Sequence, residues 1–288
     1  MEFHVIRQPI RRAALRALAA LALGGVSFML LAATARAAPP SGAVEDALEA
    51  SIARGLAWVL QQDELEVGDL YALQQLQRVP AQARVRAELA ARAGSLGPFE
   101  GLVRPGTLAA RPKEWDGLKG QRYAPIATWL YHASNAPAVP TPEPVLKELL
   151  AGSHSEYLLA HQYLALRILS ERGVITGPGL AARLEQLLRD IEGEQRAEAG
   201  FSDLFAERQA LLLSGGRVPP DTLRWIARIL VAQEDDGHWR VPRHPYPTTL
   251  NETHTTLVSL WALDAYARIL ATRSAAPPTP TPIRATTP

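Results

Sequence analysis

Three side chains suited to metal binding or acid–base chemistry recur at regular spacing in helix-forming segments. Aligning three apolar segments places His161, Glu207 and His254 in one column, with separations of 46 and 47 residues. Two imidazoles and a carboxylate are a suitable ligand set for a divalent ion, zinc above all, with one position left for water. Without a metal, a histidine and a glutamate can act as base and acid in an elimination that cleaves a glycan. The column predicts a catalytic or metal site, and the structural alternative is hydrogen bonding at helix starts.

Polar and aromatic residues beside the column are candidates for a surrounding ligand pocket. Glu156 and Glu252 each lie a few residues before a histidine, where they could orient its ring. The other candidates for the pocket wall are Tyr157, Asp203, Arg208 and Trp239. These six residues are therefore predicted to contact a ligand.

Helices must position these residues, because Ala, Leu, Glu, Gln and Arg predominate and period-2 alternation is rare. Glycine and proline clusters divide the chain into segments, with a long irregular connection at 96–121. The apolar spacing predicts ten helices, at 43–62, 67–78, 81–94, 122–134, 143–152, 155–172, 178–192, 201–214, 220–233 and 252–272. The predicted fold class is all-α.

Two kinds of helix alternate along the chain. Residues 180–191 carry one apolar stripe opposite charged residues, which is typical of a helix that covers a surface. Residues 157–169 and 257–270 are apolar nearly all round and should be buried. A short repeat, Asp-Leu-Tyr-Ala at 69–72 and Asp-Leu-Phe-Ala at 203–206, accompanies the alternation. We therefore predict an α/α toroid of about five helical hairpins, with buried helices inside and amphipathic helices outside.

The two ends of the chain differ in composition from the middle. Residues 1–37 combine a basic start, an uncharged stretch and a final Ala35-Arg36-Ala37, which predicts a cleaved signal peptide. A membrane anchor is the alternative, since the stretch is close to spanning length. Residues 275–288 are rich in Pro and Thr and are expected to be disordered. The prediction is a toroid domain at 38–274 in a periplasmic or secreted protein, without stable membrane insertion after cleavage.

Composition excludes several classes of function. The net charge of the chain is +1, and without residues 1–37 there are 25 Lys and Arg against 28 Asp and Glu, or −3. So small a charge does not favour nucleic acid as a partner. The absence of cysteine excludes disulfides and thiolate metal ligands. Neither a Gly-rich phosphate loop nor a G-x-S-x-G motif occurs, which disfavours nucleotide-dependent enzymes and serine hydrolases.

One segment resembles a repeat of known enzymes. The run Gln233-Glu234-Asp235-Asp236-Gly237-His238-Trp239 resembles the Gln-x-x-x-Gly-x-Trp half of the repeat in squalene and hopene cyclases. Residues 254–262 resemble the inner helix that follows this motif, and 54–59 resemble the front half of the repeat. The resemblance implies the α/α toroid that these terpenoid cyclases share with protein prenyltransferases. It also implies that Gln233 bonds free backbone groups at helix ends and that Trp239 packs beside it.

The residues that carry chemistry in those families are missing. The cyclases protonate their substrate with an Asp-x-Asp-Asp cluster, which does not occur here, and the prenyltransferase zinc site needs a cysteine. We therefore expect the fold without either chemistry. The leading interpretation is an exported toroid that binds a ligand in its central cavity: an apolar or isoprenoid-like small molecule, a glycan or a peptide.

Sequence alone leaves open whether the protein catalyses a reaction. One alternative is a metal-dependent hydrolase or glycan lyase that uses His161, Glu207 and His254. The other is an interaction scaffold whose cavity is filled by side chains.

Overall fold

The structure, a computed structural model, describes residues 41–92, 94–113, 115, 121, 124–240 and 252–275. The predicted signal peptide and residues 276–288 of the predicted tail lie outside these ranges. The described residues from Ala47 onward belong to one compact unit. No helix in the described part of the chain combines the length and apolarity needed to cross a membrane.

The described residues form ten α-helices and one 3-10 helix, and they contain no β-strand, so the all-α prediction is confirmed. We number the α-helices in chain order. They are α1 (Ser41–Val59), α2 (Val67–Gln75), α3 (Val79–Ala91), α4 (Ala124–Asn135), α5 (Glu143–Ala151), α6 (Glu156–Glu171), α7 (Pro178–Ala197), α8 (Asp203–Ser214), α9 (Thr222–Val231) and α10 (Glu252–Ala275). The 3-10 helix is Gly97–Leu102.

The helix boundaries follow the signals that predicted them, with differences of a few residues. Pro178 begins α7, and Ser202 caps α8 by accepting a hydrogen bond from Phe205 N at 3.0 Å. Helix α7 continues to Ala197, past the predicted end at 192. It does so because Gln195 is buried and its amide donates to Phe205 O at 3.1 Å, which anchors the extra turn to α8. Tertiary contact here outweighs the preference of Gly193 for a break.

The 3-10 helix lies inside the connection that was predicted to be irregular. Glu100 is buried, and its carboxylate accepts hydrogen bonds from Gly94 N and Leu96 N. Gly101 lies against α4 so closely that an added Cβ would be 1.9 Å from Ser134 O. Only glycine allows this approach, and it lets the segment fill the space between α2 and α4.

Even-numbered helices are buried and odd-numbered ones are half-exposed, as the apolar patterns predicted. Every residue of α8 from Asp203 to Leu213 is buried. In α9 only one face is buried, formed by Thr222, Trp225, Ile226 and Ile229. The arginines of α9 lie on its outer face, as its single apolar stripe predicts, whereas α8 buries even its polar residues Asp203, Glu207 and Arg208.

The buried helices pack against one another in chain order. Helix α4 contacts α6, α6 contacts α8, and α8 contacts α10. Helix α10 also contacts α2, and the 3-10 helix contacts both α2 and α4. The N-terminal turns of α2, α6, α8 and α10 therefore lie close together, although they come from distant parts of the sequence.

The segment that resembles the cyclase repeat joins the last part of the chain to the first. The Gln233 amide donates to Ser51 O at 3.0 Å and to Gly237 O at 2.8 Å, and its oxygen accepts from Arg54 Nη2 at 2.6 Å. Trp239 is fully buried and its indole donates to Ile229 O at 2.7 Å. The Gln233 side chain thus bonds backbone carbonyls in the middle of α1 and in its own turn rather than at a helix end.

Candidate functional site

Two members of the predicted column lie beside each other. His161 Nε2 is 3.8 Å from Glu207 Oε1, an approach between α6 and α8 that is too long for a direct hydrogen bond. His161 Nδ1 is 2.8 Å from Tyr157 O. Because a carbonyl only accepts hydrogen bonds, Nδ1 carries the proton, and a neutral His161 turns the lone pair of Nε2 toward Glu207. In this neutral form, two hydrogen-bond acceptors face each other across the gap.

The third member of the column, His254, pairs with a different acid. Its Nδ1 lies 3.8 Å from Asp69 Oδ1 on α2. Burial lowers the pKa of His254, but the close contact with Asp69 and the negative charges of Glu207, Asp69 and Asp203 outweigh burial. The pKa therefore lies above the ordinary value of 6.5. His254 is thus coupled to acids on both α2 and α8.

A tyrosine–carboxylate pair completes the group. The Tyr157 hydroxyl donates to Asp203 Oδ1 at 2.6 Å, which links the first turns of α6 and α8. This short bond has the length expected of a hydroxyl bound to an ionised acid. We call Asp69, Tyr157, His161, Asp203, Glu207 and His254 the acid–imidazole cluster. Its members come from the N-terminal turns of α2, α6, α8 and α10.

Asp69 and Glu207 of the acid–imidazole cluster are buried, whereas its two histidines are partly exposed. The side chains of Asp69 and Glu207 are 4% and 6% exposed, whereas those of His161 and His254 are 19% and 24% exposed. Glu207 Oε2 is buried without a hydrogen-bond partner in the described part of the chain. An unpartnered buried carboxylate oxygen is costly, so this atom is available to a molecule that can donate a hydrogen bond.

A second set of contacts fixes the start of α6 beside the cluster. Arg208 is buried and forms ion pairs with Glu194 and Glu198 at the end of α7. Both carboxylate oxygens of Glu194 accept from Glu156 N at 3.0 Å. Glu156 adopts a φ of 54°, which is strained for a residue with a side chain. Arg208 and Glu156 therefore hold the turn that presents Tyr157.

The remaining predicted pocket residues lie in other environments. Trp239 is enclosed in the core beside α1 and α9. Glu252 Oε1 is 3.0 Å from Arg240 Nε, and its other oxygen is 3.4 Å from His238 Nε2. Neither residue has a described contact with the acid–imidazole cluster.

Asp69 was absent from the predicted site, although the sequence contains the signal for it. The repeat that aligns 69–72 with 203–206 equates Asp69 with Asp203. Both aspartates are buried in the first turn of a helix, and each lies beside another residue of the cluster. The alignment of the two repeats therefore predicts Asp69 as a site residue equivalent to Asp203.

The described residues contain no group of three or more His, Cys, Asp or Glu side chains arranged to hold a metal ion. The acids pair separately with the two histidines, so the three predicted ligands do not form a single ligand set there. The zinc site stays a prediction.

Two cavities of the described chain lie elsewhere. One, of about 520 Å³, is lined by the C-terminal parts of α2, α6, α8 and α10, and one, of about 560 Å³, lies between α1 and the start of α3. No family model, curated protein or solved structure matches the chain.

Proposed function

We propose that the protein is an exported α/α toroid that binds a glycan at the N-terminal ends of its inner helices. The observation that carries the proposal is the convergence of hydrogen-bond acceptors in the acid–imidazole cluster. Nε2 of His161 and Oε1 of Glu207 face each other at 3.8 Å, and Glu207 Oε2 has no hydrogen-bond partner among the described residues.

The toroid is supported by the circuit of helix contacts. Helices α4, α6, α8 and α10 contact one another in order, α10 contacts α2, and the 3-10 helix lies between α2 and α4. The bonds from Gln233 to α1 join two segments 182 residues apart. Such a circuit brings equivalent ends of the inner helices to one mouth, where the cluster lies.

The chemistry of the cluster favours a sugar over the other predicted ligands. Carboxylates and neutral imidazole nitrogens accept hydrogen bonds from hydroxyl groups, which a sugar supplies in abundance and an isoprenoid lacks. The histidines are partly exposed above the buried acids, so a ligand at the surface would meet the imidazoles first. Few precisely placed polar groups of this kind fix the orientation of a bound small molecule.

Saturation-transfer NMR with neutral di- and trisaccharides of glucose, mannose and N-acetylglucosamine tests the proposal. We expect at least one sugar to bind, and Glu207→Gln and Tyr157→Phe to weaken it about tenfold or more. Glu185→Gln, a change on the exposed face of α7, is the matched control and should bind normally. If no sugar binds, or if the cluster variants bind as well as the control, the proposal is wrong.

A catalytic role is the second candidate, and the Tyr157–Asp203 bond favours it. A tyrosine hydroxyl held by a carboxylate and an imidazole held by a backbone carbonyl form two groups able to transfer protons at one site. An elimination on a uronate-containing polysaccharide would release an unsaturated sugar that absorbs ultraviolet light. We expect Tyr157→Phe to abolish that signal, and no signal from the wild-type protein would reject the lyase assignment.

A further inference from the structure

The cavity of about 520 Å³ lies at the opposite end of the inner helices from the acid–imidazole cluster. Its wall is formed by the last residues of α2, α6 and α8 and by the second half of α10. His254 and Arg268 are 14 residues apart on α10, which is about 21 Å along the helix axis. Between them, the rings of Tyr71 and Trp261 meet edge to face at 6.2 Å. The cavity is therefore separate from the cluster.

The wall of this cavity is positively charged. Arg167, Arg268 and Arg273 line it, and none of the described lining residues is acidic. The nearest acids contact two of these arginines at Nε: Glu171 lies 2.7 Å from Arg167, and Asp264 lies 3.2 Å from Arg268.

These acids do not balance the arginines. Asp264 also pairs with Arg78 at 2.6 Å, but Arg78 is balanced by Glu49 at 2.7 Å, whereas Arg273 has no ion pair among the described residues. Positive charge is left over around the cavity, and it favours an anion.

Two buried polar atoms in the wall lack partners. Arg167 Nη1 and Ser214 Oγ are both buried without a hydrogen-bond acceptor or donor in the described part of the chain. Leaving such groups unsatisfied is costly, most of all for a charged donor. Burial lowers the pKa of Arg167, but Glu171 more than offsets it, so the guanidinium stays charged. An anion in the cavity would supply the acceptor that Nη1 lacks.

The rest of the wall suits a ligand with hydroxyl groups. Gln74, Gln75 and Gln77 offer amide donors and acceptors, and Thr272 adds a hydroxyl. Trp261 and Ile269 contribute apolar surface. A volume of about 520 Å³ is within the range of small-molecule sites and accommodates one or two sugar rings.

We propose that this cavity binds a hydroxylated carboxylate of the uronic acid class, with its carboxylate at Arg167 and Arg273 and its hydroxyls at the glutamines. Bidentate pairing with guanidinium groups is the usual recognition of a carboxylate. The competing role for these arginines is to neutralise the negative ends of α2, α6 and α8, which requires no ligand.

Calorimetric titration of the full-length protein with D-glucuronate at low salt tests this site. Glucose, which has hydroxyls without charge, and acetate, which has charge without hydroxyls, are the comparison ligands. We expect glucuronate to bind at least tenfold more tightly than either, and binding to weaken as salt screens the arginines. Absence of glucuronate binding, or equal binding of all three, overturns the proposal.

Variants locate the site. Arg167→Gln and Arg273→Gln should each weaken glucuronate binding about tenfold or more, while Arg189→Gln on the exposed face of α7 leaves it unchanged. Arg273 is exposed, so its replacement tests the site even if the Arg167 variant fails to fold. Glucuronate affinity that is unchanged by Arg273→Gln contradicts the assignment. Glu207→Gln should not affect it, which separates this site from the proposed glycan site.

Discussion

The imidazole of His161 and the carboxylate of Glu207 approach to 3.8 Å, and the second oxygen of Glu207 is buried with no partner in the ranges that the structure describes. Asp69, by contrast, uses both oxygens: one faces His254 and the other accepts from Glu66 N at the start of α2. The two acids thus differ in how many of their carboxylate oxygens face a partner in the described part of the protein. Under the proposed function a ligand would bond the second oxygen of Glu207, whereas Asp69 supports the start of α2.

Opposite effects on stability follow for these two acids. Glu207→Gln should raise the free energy of unfolding at neutral pH by about 1 kcal/mol, because it removes a poorly satisfied buried charge. Asp69→Asn should lower it by about 1–2 kcal/mol, because it weakens a helix cap and the pairing with His254. Urea denaturation of both variants gives the comparison. Destabilisation by Glu207→Gln as large as that of Asp69→Asn would mean that Glu207 is structural.

The bond between Tyr157 and Asp203 should be worth more than an ordinary surface contact. A double-mutant cycle with Tyr157→Phe and Asp203→Asn isolates it, and we expect a coupling of about 1–2 kcal/mol for a partly buried hydrogen bond to a carboxylate. The measurement is the free energy of unfolding of the two single variants and the double variant. Additive effects would show that the two residues do not interact in solution.

The raised pKa of His254 makes its contribution to stability depend on pH. Since the folded pKa lies above the unfolded value, protonated His254 stabilises the protein fully below about 6.5, and the effect is lost as pH rises through the folded pKa. The stability difference between wild type and His254→Gln should therefore be larger at about pH 5.5 than at about pH 8.5. A difference that grows with pH would contradict the assignment.

Two helical glycines, one in contact with Trp239 and one not, provide a matched test of how tightly Trp239 packs against α1. A Cβ on Gly55 would lie 2.8 Å from Trp239 Cζ3 and 2.9 Å from Leu260 Cδ2, whereas Gly193 has nothing within 4 Å. Gly55→Ala should cost about 1–3 kcal/mol through overpacking. Gly193→Ala should stabilise by about 1 kcal/mol through helix propensity alone. Thermal unfolding distinguishes them, and two stabilised variants would mean that the contact between α1 and Trp239 is loose.

The sequence predicted the helices well because strong local signals mark their ends. Proline and glycine punctuation gives boundaries within a few residues, and the missed turn of α7 depends on Gln195, whose partner on α8 is distant in sequence. The 3-10 helix was missed for a similar reason, since it is held by the buried Glu100 rather than by its own propensity.

The site was only partly predictable. Equal spacing correctly brought His161 beside Glu207, but His254 pairs with Asp69. Spacing places residues at equivalent heights on successive helices. It does not specify side-chain rotamers or the helix that meets α10 on its other side, which is α2. That contact joins distant ends of the chain, so no local pattern encodes it.

The most direct test of the acid–imidazole cluster is an NMR titration of the His254 imidazole in wild type, Glu207→Gln, Asp69→Asn and the control Glu185→Gln. Because both acids raise the pKa of His254, we expect its midpoint to fall in the Glu207 and Asp69 variants and to stay unchanged in the control. A His254 midpoint unaffected by Glu207→Gln would contradict the convergence of α8 and α10 on one site.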